Sequence, residues 1–99
     1  MTKEDMPKLQ NIMFKLFPST RMFCETEWNF EQGAFTHFLD PELRMECQIL
    51  DNGEVNVEVV KHASCDTVHE CTLSGNWREV MDNIVSIAEQ VGVQSVFYQ

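Results

Sequence analysis

The chain has 99 residues, 43% apolar and 23% charged, an ordinary globular balance that argues against disorder. Its formal charge of −9 sets up a field that repels nucleic acid and anionic membrane, which argues against both as direct partners. A chain of this size buries roughly 60–70% of its unfolded surface, which leaves little room for a deep enclosed active site.

The charge is uneven. Through Arg21, four bases face two acids (net +2); beyond it only Arg44, Lys61 and Arg78 oppose fourteen carboxylates (net −11). The N-terminus carries Lys3, Glu4 and Asp5 where a secretory signal needs an apolar run. No stretch approaches the ~18 apolar residues of a membrane span. The expected compartment is the cytoplasm, or a host cytoplasm for a viral chain. Cys24, Cys47, Cys65 and Cys71 are then expected as thiols.

The first element reads as a helix. Met6, Leu9, Ile12, Met13 and Leu16 recur at three- and four-residue steps, with Thr2 or Asp5 as cap and Pro18 as stop. Pro7 is tolerated only because it falls in the first turn. Strands follow. Residues 22–30 alternate Cys24, Thr26, Trp28 and Phe30 with Phe23, Glu25, Glu27 and Asn29. A turn at Gly33 leads to a strand over 34–39, in which His37 reads as a half-exposed strand residue. Asp40-Pro41-Glu42 turns the chain into 44–50, where Met45, Cys47 and Ile49 alternate with Arg44, Glu46 and Gln48. Asp51-Asn52-Gly53 is the best hairpin signal, since Asn-Gly tolerates positive φ. Val55, Val57 and Val59 then alternate with Glu54, Asn56 and Glu58, and a further strand runs over 67–73.

A second helix is marked by Trp77, Val80, Met81, Ile84, Ile87, Ala88 and Val91, capped at Asn76 with Glu79 and stopped by Gly92. Ser74 is a competing cap. The tail over 95–98 is a candidate sixth strand. The expected fold is a two-layer α+β sandwich: a four- to six-stranded antiparallel sheet with an N-terminal and a C-terminal helix on one face and the other face wet. No linker or repeat divides residues 1–99, so one domain is expected.

Phosphate-loop chemistry finds no motif. Gly33, Gly53, Gly75 and Gly92 all fall at turns or helix ends, and neither GxGxxG nor GxxxxGK[ST] occurs. His62, Cys65, His69 and Cys71 are zinc-type ligands within ten residues, but their spacing matches no zinc pattern. A Cys–His nucleophile in that stretch would need nearby positive charge, whereas Asp66 and Glu70 oppose a thiolate. Core and edge positions on one strand are the simpler reading of His69 and Cys71. The methionines on the helix stripes read as core filling.

The carboxylates carry the functional expectation. With the valines turned to the helices, alternation sends Glu46, Glu54, Glu58 and Glu70 to the opposite face, joined by Glu25 and Glu27. Such a grid of negative charge would dock on a basic protein surface. The expected role is a non-enzymatic inhibitor that occludes or imitates nucleic acid on a nucleic-acid-handling protein. Small acidic phage-carried inhibitors of restriction or CRISPR enzymes act this way as a class, an analogy of charge alone. Acidic strand faces also serve plain solubility. No cofactor is expected. The rival readings are an assembly subunit or homodimer pairing through Val96, Phe97 and Tyr98, and a small zinc domain on His62, Cys65, His69 and Cys71.

Overall fold

A computed structural model describes residues 1–18, 27–29 and 31–96. A 3₁₀ turn at Lys3–Asp5 runs into helix α1, Met6–Leu16. Asp5 fixes this start by reaching back, its Oδ2 accepting from the Thr2 amide at 3.1 Å. Met6, Leu9, Met13 and Leu16 are buried, the face drawn by their spacing.

Five strands follow: β1 (Glu27–Asn29), β2 (Ala34–Phe38), β3 (Leu43–Ile49), β4 (Val55–Lys61) and β5 (Thr67–Leu73). They form one antiparallel sheet in the order β1-β2-β3-β4-β5, so each strand pairs with its sequence neighbours. Of the strand expected over 22–30, only Glu27–Asn29 lies within the described residues. The connecting turns are built by local chemistry. Asp40 Oδ1 accepts from the amides of Glu42 and Leu43, both at 2.8 Å. Gly53 takes φ 83° and donates to the Leu50 carbonyl at 3.0 Å. Gly33 has φ 59°, and a Cβ there would lie 2.7 Å from Ile49 Cγ2, so turn and core packing both require glycine.

Helix α2, Trp77–Gln90, closes the layer. Asn76 Oδ1 accepts from the Arg78 and Glu79 amides at 3.0 Å each, and Glu79 Oε1 accepts from the Asn76 amide at 3.3 Å. The reciprocal cap is the one the sequence indicates, and it leaves Ser74 without that role. Asn76→Ala is expected to cost about 1 kcal/mol, seen as a lower urea midpoint with unchanged slope.

Both helices cover the same side of the sheet. Leu9 and Met13 of α1 and Val80, Ile84 and Ala88 of α2 join Phe35, Met45, Cys47, Val55, Val57 and Val59 in one apolar cluster. The strand residues in that cluster alternate along their strands, so the intervening residues face the other way. The fold is thus a two-layer α+β sandwich with five strands among the described residues.

Two expectations change. His37 is fully buried, because the end of α1 folds over it: Phe14 meets its ring edge-on at 5.0 Å, and its Nε2 lies 2.6 Å from the Phe17 carbonyl. The tail adds no strand at 95–96. Ser95 is buried, and the Val96 amide donates to the Leu16 carbonyl at 2.9 Å. These bonds satisfy carbonyls that the last turn of a helix leaves without intrahelical partners. Phe97 and Tyr98 lie outside the described residues.

Candidate functional site: an acidic row on the open sheet face

The strand register turns scattered glutamates into a line. Thr36 lies opposite Glu46, Glu46 opposite Glu58, and Glu58 opposite Glu70. With strands ~4.8 Å apart, the three glutamates form a rung across β3, β4 and β5 on the face opposite α1 and α2. On the β1 side the same rung continues in the backbone pairing of Glu27 with Thr36. Glu25 lies outside the described residues.

Glu54 does not join the row. It stands in the hairpin turn before β4, where its amide is bound by Asn52 Oδ1 at 3.0 Å. Of the six carboxylates expected to share a docking face, the structure aligns the side chains of Glu46, Glu58 and Glu70.

The row is unevenly neutralised. Arg44 Nε lies 3.9 Å from Glu46 Oε1. No ion pair reaches Glu58 or Glu70 among the described residues. The carboxyl of Glu70 stands beside that of Glu58, and the hydrogen bond that a protonated Glu58 would donate to it raises the Glu58 pKa above the usual carboxylate value. Partial burial and the charges of Glu70 and Glu46 push in the same direction.

Beside the row, the neutral pairs Ala34–Gln48–Asn56–Thr72 form the next rung. Small residues at Ala34 and Thr36 leave the sheet surface low there. The result is an open trough of about 960 Å³ lined by Asn29, Gln32, Gln48, Asn56, Glu46 and Glu58, among others. The chain matches no known family model, no curated protein and no solved structure.

At the opposite end the open face is not wet. Phe38 and Val60 lie on it, yet each is buried, at 3% and 2% exposure. The loop after β4 folds over them, with the His62 ring edge-on to Phe38 at 4.9 Å. Arg44 Nη1 lies 3.0 Å from His62 Nδ1, and Nη2 lies 3.8 Å from Cys65 Sγ. Sequence reasoning gave Arg44 only a place on the exposed side of its strand. Its role as the cation shared by Glu46, His62 and Cys65 depends on a loop contact that alternation does not encode.

The four zinc-type residues separate. His69 and Cys71 pair with Val59 and Val57, so they sit on the helix side of β5. His62 lies on the other face against Phe38, and Cys65 is exposed at φ 60° in the loop. Among the described residues no group of three or more His, Cys, Asp or Glu is placed to hold a metal ion. Burial raises the thiol pKa of Cys47 and, less completely enclosed, of Cys71. Among the described residues no helix is long and apolar enough to cross a membrane.

Proposed function

We propose that the chain is a non-enzymatic binding protein that docks its open sheet face on a basic surface of a nucleic-acid-handling protein. It would inhibit that protein by occluding or imitating the nucleic acid. The observation that carries this reading is the row Glu46–Glu58–Glu70, in which, among the described residues, only Glu46 has a cation nearby. Like charges opposite one another destabilise a sheet. A partner's lysines or arginines would remove that repulsion, so the same row that weakens the free fold strengthens the complex. The charge of −9 steers such a partner in from a distance, and binding should weaken as salt screens the field.

The test is capture on the immobilised chain from a cognate lysate, with elution by salt or by competing duplex nucleic acid. The expected captures are nucleic-acid-binding proteins displaced by both. A variant carrying Glu46→Gln, Glu58→Gln and Glu70→Gln should retain about tenfold less, from three contacts of the exposed-charge class. Unchanged capture by that variant would remove the open face from the interaction.

A further inference from the structure

The meander leaves two sheet edges, and they differ. β1 has three described residues, whereas β5 has seven and, among the described residues, is bonded only to β4. Thr67, Val68, Glu70 and Thr72 are exposed, Val68 at 41%. β5 contains no proline, lysine or arginine, the residues that commonly blunt an edge. A bulge at Val59/Val60 disturbs one end, but residues 69–73 keep a regular register with β4. The outward N–H and C=O groups of that stretch are a template for one more strand. Its one guard on the open face is Glu70, where the acidic row ends.

We propose that β5 accepts an extended strand from a basic partner, and that Glu70 selects the strand by requiring a lysine or arginine opposite it. The proposal rests on the reading of the chain as a binder of basic surfaces, and adds a second point of contact with its own hydrogen-bonding mode. Main-chain bonds along the edge would supply adhesion, and the charge pair would supply choice. A second copy of the chain is the poorer occupant. The antiparallel register that matches β5 over its full length centres on Glu70, placing this carboxylate against its own copy with Glu58 one strand behind each. Opposed like charges disfavour that pairing, and a cation at the same position favours it.

The chain supplies its own probe. Glu70→Lys changes an exposed side chain and turns β5 into a basic strand of the right shape. At pH 7 and low salt, wild type and variant should each sediment as monomers. An equimolar mixture should associate one to one, about tenfold more tightly than either with itself. Amide shifts in the complex should move along residues 67–73, and added salt should dissociate it. Circular dichroism checks that the variant folds, and Glu70→Arg carries the same test if it does not. A mixture that stays monomeric overturns the proposal, as does wild type that pairs with itself through β5 at pH 7. Association that moves the amides around Glu46 and Glu58 but not those of β5 also overturns it, and leaves the open-face reading standing. Capture of basic proteins unchanged by the triple glutamine substitution, with β5 pairing intact in wild type mixed with Glu70→Lys, would do the reverse.

Discussion

His37→Leu is expected to lower the unfolding free energy by about 1–3 kcal/mol, measured by urea denaturation at pH 7. Leucine fills most of the space but cannot donate to the Phe17 carbonyl, which His37 Nε2 approaches to 2.6 Å. An acceptor that loses its donor inside the protein bears the full penalty of desolvation. The loss falls on the joint between α1 and the sheet, where Phe14 also packs on the imidazole. The effect of acid identifies the cause. Burial holds the His37 pKa below its ordinary 6.5, and the hydrogen bond to Phe17 only partly opposes that shift. The unfolded chain therefore takes up this proton at higher pH than the folded one. His37 contributes its full stability above about pH 6.5 and loses it as pH falls toward the lowered folded value. The gap between wild type and His37→Leu should narrow across that window. A gap that stays constant from pH 7 to pH 5 would mean that the imidazole is not buried in its neutral form.

The elements that sequence could reveal are those whose signals are local. The stripe Met6-Leu9-Met13-Leu16 and the Asn76–Glu79 cap need only helix geometry, and both stand where periodicity and capping place them. The alternation Val55-Val57-Val59 needs only the pleat, and those valines are buried. The Asn52-Gly53 turn sets Glu46 opposite Glu58, but Glu70 enters the same rung through the register shift at Val59/Val60, which alternation alone does not reveal. His37 was not legible in this way, because its cover comes from Phe14 and Phe17, a helix away in sequence. Val60 keeps strict alternation, opposite Arg44 on the open face, and is buried because the loop after β4 folds over that end, a contact that the pleat does not encode. The same loop folding splits His62 from His69 and Cys71, so proximity in sequence became separation across the sheet. Residues 95–96 form no strand for a comparable reason: the end of α1 offers Val96 a carbonyl within reach.

Glu58→Gln should make the folded chain more stable at pH 7 while weakening its hold on a basic partner. A gain of about 0.5 kcal/mol is expected, the scale of one opposed like-charge pair on a solvated face. Glutamine keeps the shape and can still hydrogen-bond Glu70, but removes the charge that Glu46 and Glu70 oppose. The pH dependence has the opposite sign to that of His37. The pKa of Glu58 is raised above its ordinary value of 4.5, chiefly because its protonated form can hydrogen-bond to Glu70, so the folded chain takes up this proton at higher pH than the unfolded one. Its favourable contribution is complete below about pH 4.5 and disappears as pH rises through the elevated folded value. Wild type should gain stability from this site as pH falls through that range, and Glu58→Gln should not. The variant's advantage is therefore largest near neutrality and gone by about pH 4.5. Equal advantages at pH 7 and pH 4.5 would show that the row carries no electrostatic strain. With that strain absent, a basic partner would have no repulsion to relieve at Glu58. Strain confirmed by titration, together with weaker capture by the same variant, would tie the destabilising charge and the binding charge to one carboxylate.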